Sequence, residues 1–195
     1  LLTSTKAWQT GGFLAGGLRA GGEEQLNFVV QEEQMAIPSR IRDFLDSENI
    51  PYEELRHQPA YTGQEVAHTL HLSGKRCAKT VVLDGDGRLA MAVLPASNRL
   101  NLQDLRAAME VTRLEMLSES RLIELFPDCE RGAIPPLGRL YGMEVWVDRT
   151  ISDSEKIVFC AGTHEDCIRM KYSDFAKLAR PRISRFSEVW ATTAA

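Results

Sequence analysis

The 195-residue chain has little of what several large protein classes require. No apolar run approaches the roughly 20 residues that a helix needs to cross a bilayer. The most apolar stretch, "LAMAVLPA" at 89–96, is broken by Pro95 and reads as a buried strand. The opening "LLTSTKAWQTGGFLAGGLRAGG" has no continuous apolar segment of the secretory kind. Cysteines are few, and Cys77, Cys129, Cys160 and Cys167 contain no CxxC pair. With no sign of export, they read as free thiols of a cytoplasmic protein, and a zinc site is disfavoured. An excess of positive charge is missing as well. The formal net charge is −4, which excludes a bulk polyanion binder of the histone kind. Two local basic clusters remain: Lys75, Arg76 and Lys79 in "GKRCAK", and Arg180, Arg182 and Arg185 in "ARPRISR". The patterns GxSxG, HExxH, Walker A and GxGxxG are all absent, so the familiar serine-hydrolase, zincin and nucleotide-loop chemistries have no anchor.

What is present is organised as one domain with a distinct leader. Residues 1–34 are rich in glycine and small side chains and end in "QEEQ", so they read as a flexible or extraneous extension. The domain is expected over 35–187, with 188–195 as a tail that frays. Ile37, Ile41, Phe44 and Leu45 predict an amphipathic helix over 38–48, with Pro38 in its first turn. "YEELR" is a short strand candidate. "TGQE" at 62–65 is a capping box opening a helix that buries Val66, Ala67 and Leu70 and stops at Gly74. "CAKTVVLDGDGRLAMAVLPA" reads as a hairpin turning at "DGDG". "NLQDLRAAM" and "SESRLIELF" are helices flanking an extended "TRLEML". "MEVWVD", "KIVFCAG" and "DCIRMKY" are strands, and "SDFAKLA" is a closing helix with Ser173 as cap. Without regular βαβ alternation, this order predicts an α+β fold, a mixed or largely antiparallel sheet with helices around it.

Four short segments hold the residues that could carry chemistry. "GAIPPLG" at 132–138 sets two prolines between glycines; it cannot be helix or central strand. It is either a stiff connector or a frame presenting bare backbone amides. Lys79 shares a strand face with Cys77, Val81 and Leu83. It is either a lysine guarding an edge or a cation held for a purpose. His164 follows a strand in "AGTHED", beside Gly162 and Thr163, where a functional loop and a polar turn predict the same string. "HQPAYT", which begins at His57, ends in the Thr62 cap, so that threonine already has a structural role. His68 and His71, three apart, are a surface pair or half of a metal site.

In this order, "HQPAYTGQEVA", "KRCAKTVVL", "GAIPPLG" and "AGTHED" resemble the YbaK/prolyl-tRNA synthetase-associated editing domain family, trans-acting or inserted deacylases that hydrolyse mischarged tRNA. The motifs span about 57–172, and Gly132 to Pro136 matches the family's GxxxP loop. The resemblance implies a mixed α+β fold with a barrel-like central sheet. It also implies an essential Lys79 that holds the terminal nucleotide as a cation and a Gly132 whose backbone N–H faces the ester or the attacking water. His164 would line the same pocket. His57, Thr62, Ala133, Ile134, Pro135, Pro136, Gly162 and Thr163 would form the substrate surroundings.

The implied partner is the aminoacylated 3′ end of a tRNA, a proline tRNA carrying a small non-cognate residue, with prolyl-tRNA synthetase as a possible companion. No cofactor or metal is implied. The acidic composition suits a weak binder, or one using a local patch of Lys75, Arg76, Arg99 and Arg139. Two other function classes fit the same residues: a non-catalytic module that recognises an aminoacyl or nucleotide end, and a metal-dependent hydrolase using His57, His68, His71 and a cysteine.

Overall fold

A computed structural model of the chain describes residues 37–189. The extension expected over 1–34 lies outside the described residues, as does 190–195 of the tail.

The chain begins with helix α1 (Ser39–Ser47), which buries Ile41 and Leu45, and strand β1 (Glu53–Arg56). Helix α2 (Gly63–Thr69) opens on the expected capping box: Thr62 Oγ1 accepts the Glu65 N–H, and the Glu65 carboxylate accepts the Thr62 N–H. It ends earlier than the sequence suggests. Leu70 is its C-cap, and His71 already has φ +52°, so His68 and His71 do not share a helical face.

Strands β2 (Cys77–Gly85) and β3 (Arg88–Pro95) form the predicted hairpin. Asp86 and Gly87, both at positive φ, make its two-residue turn. Strand β4 (Asn98–Leu100), helix α3 (Leu102–Met109, capped by Asn101), strand β5 (Leu114–Met116) and helix α4 (Glu119–Leu125, capped by Ser118) follow. After the Gly132–Pro136 loop come α5 (Gly138–Tyr141), β6 (Glu144–Asp148), α6 (Arg149–Ser152), β7 (Lys156–Cys160) and β8 (Asp166–Lys171). Helix α7 (Tyr172–Ala179) starts one residue before Ser173, whose expected cap does not form; Lys171 holds the cap position without a side-chain bond. Strands β9 (Arg182–Ser184) and β10 (Ser187–Val189) close the chain. Glu188 and Val189 lie in the tail expected to fray, but they continue the pairing of Ser187 with β4, so the fold extends to Val189.

The main sheet has the order β1-β8-β7-β2-β3-β6-β9, with β5 added against β2. Pairings of β2 with β3, β7 with β8, and β1 with β8 are antiparallel; those of β2 with β7, β3 with β6, and β6 with β9 are parallel. This is the mixed α+β architecture expected. Alternation on β3 sends Ala92 and Leu94 to one apolar cluster and Val93 to another, so the strand is buried on both faces. That is why "LAMAVLPA" reads as an unbroken apolar run. On one face α1 and α7 cover Val147, Phe159 and Ile168; on the other, α3 packs Leu105 against Leu94 and Trp146.

Candidate functional site

The site begins as a gap in the sheet. One edge of β2 is paired along its length with β3. Its other edge is shared: β7 pairs only with Cys77 and Ala78, and β5 only with Leu83 to Gly85. Between Ala78 and Leu83 that edge has no strand beside it among the described residues, and Lys79 lies in this interval. Lys79 is half-buried, and burial alone pushes its pKa below the ordinary lysine value; among the described residues no carboxylate or hydrogen bond offsets the cost. A buried cation without a counter-ion is unfavourable in the free protein and ready for an anion from outside.

The 130–137 loop faces this interval. Gly132 has φ +88°, a left-handed conformation that favours glycine. Pro135 and Pro136 are buried, and the Leu137 N–H closes back onto the Pro135 carbonyl at 2.8 Å. The Ala133 N–H donates to the Glu130 carbonyl, and the Ala133 carbonyl accepts from the Gly162 N–H at 2.9 Å. The remaining N–H groups of the loop from Gly132 to Leu137 are those of Gly132 and Ile134, and neither has an acceptor among the described residues. Ile134 is buried, where backbone donors are seldom left without a partner, while Gly132 is exposed toward the cleft.

A second loop, after β7, is stapled to the first. The Glu130 N–H donates to the Gly162 carbonyl at 2.8 Å, and the His164 N–H donates to the Glu130 carboxylate at 2.5 Å. Gly162 is tightly constrained: a Cβ there would lie 2.7 Å from Pro38 Cδ, and its φ is +98°. Thr163 is buried; its hydroxyl donates to Asp166 Oδ2 at 2.7 Å and accepts the Asp166 N–H at 2.9 Å. These bonds fix the His164 backbone; its ring stands 4.8 Å from the Tyr61 ring and has Nε2 3.9 Å from the Glu130 carboxylate.

Lys79, Gly132, Ile134 and His164 surround a recess of about 20 Å³, with Thr62 at its side and Cys160 in its wall. An outer cleft of about 830 Å³ shares Lys79, Thr62 and Gly132 and extends past Tyr61, Gln64 and Ser97 to Val189. The sequence-predicted residues thus fall into three groups. Lys79, Thr62, Gly132, Ile134 and His164 converge. Ala133, Pro135 and Pro136 lie buried in the loop, and Gly162 and Thr163 hold the His164 turn. His57 stands apart, with Nε2 3.3 Å from Cys167 Sγ. Arg139 belongs to another side of the molecule, where it pairs with Glu48 at 3.0 Å and donates to the Leu178 carbonyl. His68 and His71 are exposed. No group of three or more His, Cys, Asp or Glu among the described residues could hold a metal ion, so the ligand set of the metal-hydrolase alternative does not assemble.

The chain that carries these elements has known counterparts. A family model described as an aminoacyl-tRNA editing domain matches residues 57–178, more than half of the chain. The chain belongs to the aminoacyl-tRNA editing domain family. Among solved structures similar to it is a hypothetical protein, APE2540, with a TM-score of 0.69 and 18% identity over 76% of this chain and 99% of that one. A proposed trans-editing enzyme for prolyl-tRNA synthetase has a TM-score of 0.67, also at 18% identity, over 77% of this chain and 96% of that one. A proposed signal-transduction protein from Marinobacter aquaeolei VT8 shares the fold as well, at a TM-score of 0.65 and 18% identity over 82% of this chain, but only 32% of its own. At this identity the structural matches speak for the fold. No curated protein matches the sequence.

The editing domain has three site residues that sequence reasoning did not single out. Tyr61 is 72% exposed and lines both recess and cleft. Glu130 joins the two loops. Cys160 ends β7 at the recess wall. Tyr61 had a signal, an aromatic beside a capping box; Glu130 had none beyond lying two residues before Gly132.

Proposed function

We propose that the chain is a trans-editing deacylase, which hydrolyses the ester between a small non-cognate amino acid and the 3′ end of a tRNA. The observation that carries the reading is the pair of unclaimed amides, Gly132 and Ile134, beside the half-buried Lys79 at one recess.

An aminoacyl ester is already activated, so water serves as nucleophile. Attack on the ester carbon puts negative charge on the carbonyl oxygen. Amides held by a proline-stiffened loop meet that charge without reorganising, which is the condition under which such donors accelerate a reaction. The acyl carbon gains the water oxygen, the C–O ester bond breaks, and the ribose oxygen leaves with a proton. The neighbouring ribose hydroxyl, part of the substrate, is within the same reacting group and orients the water. Lys79, lacking a counter-ion, takes phosphate or ribose oxygens of the terminal nucleotide as a cation. His164, clamped by Glu130 and the Thr163 turn, orients the ester.

Recess size supports the substrate class. About 20 Å³ is the space of roughly one water or methyl group, and Ala60, Val66, Ala78 and Ile134 make its walls apolar. A small side chain enters it, while the pyrrolidine ring of proline does not. A synthetase pocket for proline cannot strongly exclude a smaller residue, because one methylene is worth only about 1–3 kcal/mol. A second site with the opposite size preference corrects that. A proline tRNA is therefore the substrate we favour, with prolyl-tRNA synthetase as the natural companion.

The test is release of amino acid from proline tRNAs charged with alanine, cysteine, serine, 2-aminobutyrate or proline. Wild type is expected to discharge at least one small non-cognate residue and spare proline, and Lys79→Ala to fall to the spontaneous rate. Rates equal to the spontaneous rate for wild type on all five contradict the reading; binding without release would instead mark a recognition module.

A further inference from the structure

Cys160 and Cys167 take no part in the proposed hydrolysis, yet their placement is specific. They are direct cross-strand partners on β7 and β8. The neighbouring pair in the same register, Ala161 and Asp166, is joined by an N–H···O=C bond of 2.9 Å. The Val158 N–H points the other way, to the Arg76 carbonyl on the far side of β7. Antiparallel pairs alternate, so Cys160 and Cys167 occupy a non-hydrogen-bonded pair, where facing side chains are closest. Facing Cα atoms there lie about 4.5 Å apart, which is within the range a disulfide spans.

The two thiols are not equivalent. Cys160 lines the recess and so meets whatever small solute enters it. The Cys167 thiol hydrogen-bonds to Cys160 and holds the Cys160 thiol below the ordinary cysteine value. That bond and burial push Cys167 up in turn. Behind Cys167 stands His57, with Nε2 3.3 Å from Sγ. Its Nδ1 lies 2.6 Å from the Gln58 carbonyl and donates there, which leaves Nε2 as an acceptor for the Cys167 proton once that proton turns away from Cys160. By contrast burial pushes Cys77 up to about 12 and Cys129 up to about 11, and neither has a histidine beside it.

We infer that Cys160 and Cys167 form an oxidisable dithiol at the recess, with a hydroperoxide as its oxidant. The Cys160 sulfur attacks one peroxide oxygen; the O–O bond breaks, the sulfur is oxidised to a sulfenic acid, and the other oxygen leaves as water or an alcohol. Cys167 then attacks the Cys160 sulfur. Its proton passes to His57 Nε2, the S–O bond breaks, and the departing hydroxide takes that proton back from His57 through solvent, leaving as water. Two thiols are oxidised and one peroxide is reduced. The new bond draws the Cys160 sulfur toward Cys167, away from the recess wall.

The test is peptide mapping of the full chain without reductant after a short exposure to hydrogen peroxide. It reads bonds between sulfurs, so its outcome is independent of whether the protein deacylates tRNA. We expect a linked peptide pair containing Cys160 and Cys167, two hydrogens lighter than the reduced pair and released by a thiol reductant. It should form at least roughly tenfold faster than any modification of Cys129, and Cys77→Ser should not prevent it. Cys167→Ser should leave a sulfenic acid at Cys160 that a dimedone-type reagent traps, and His57→Gln should slow closure. A crosslink through Cys77 or Cys129, or modification of Cys160 no faster than of Cys129, would overturn the inference. The wild-type map alone decides this if a variant fails to fold.

Discussion

Two clefts among the described residues are of similar size and opposite character. One, about 600 Å³, lies at the tip of the β2–β3 hairpin beside Arg113 and Arg121. The other, about 830 Å³, opens over Lys79 and Gly132. At the hairpin tip the charges are matched. Asp86 accepts the Thr112 and Arg113 amides, each at 2.9 Å, Asp84 accepts the Gly87 amide, and Arg113 and Arg121 pair with Glu115 and Glu124. At the Lys79 cleft a cation and two amides have no partner among the described residues. Polar groups in the first cleft have been spent on holding a turn; those in the second are left for something that is not part of the chain. Unmet hydrogen-bonding capacity, more than volume, separates a site from a dent.

That contrast can be broken at either end. The largest effect is expected at Lys79. Lys79→Met should lower deacylation by about 100-fold or more, in the range seen when one electrostatic group of a site is removed, whereas Arg121→Met at the hairpin tip should leave it unchanged. Stability should move the other way. Burial holds the folded-state pKa of Lys79 below its unfolded value, so the cost of the charged form is present in full at neutral pH and shrinks as pH rises toward the ordinary lysine value. Lys79→Met should therefore raise the melting temperature at neutral pH, by the equivalent of about 0.5–1 kcal/mol once partial exposure is allowed for, with the gain fading in alkali.

Thr163→Val comes next. It leaves the buried Asp166 carboxylate and amide without their partner, at a cost of about 1–3 kcal/mol in chemical denaturation. Because His164 follows it, activity should fall as well, by less than for Lys79→Met. Asp86→Asn is the mildest. The amides of Thr112 and Arg113 hold the Asp86 carboxyl below the usual carboxylate value. Its stabilisation is thus present above the unfolded pKa and lost as pH falls through the folded one. Wild type should lose melting temperature more steeply into acid than Asp86→Asn, with deacylation at neutral pH alike in the two. Loss of activity in Asp86→Asn would erase the distinction between the clefts.

How far the sequence foretold this depends on the range of the interaction. Local signals were legible: the "TGQE" box, the two-residue hairpin turn and the strand periods each depend on residues within a few positions. Lys79 and the Gly132–Pro136 loop were legible too, as a strand-face lysine and a stretch that could be neither helix nor strand, and the family resemblance joined them. Illegible was the gap in the β2 edge, which arises because β7 stops at Ala78 and β5 starts at Leu83. Pairings between distant segments leave no periodic trace. Glu130 clamping His164 is likewise a contact across 34 positions. The end of α2 and the start of α7 were missed by local competition: Leu70 caps the first before Gly74, and Lys171 takes the position expected of Ser173. His57 read as part of the site through the resemblance of "HQPAYTGQEVA", but β1 pairing carries it to Cys167 instead.

The central claim is that the Gly132 amide is a donor to the reacting ester. Replacing Gly132 by glycolic acid, which turns that one N–H into an ester oxygen and leaves every side chain in place, isolates it. Single-turnover deacylation of a small-residue proline tRNA should slow by about 100- to 1,000-fold, with the melting temperature nearly unchanged, since that N–H has no partner among the described residues to lose. An unchanged rate with the fold intact would show that the loop only shapes the recess, and would contradict the account.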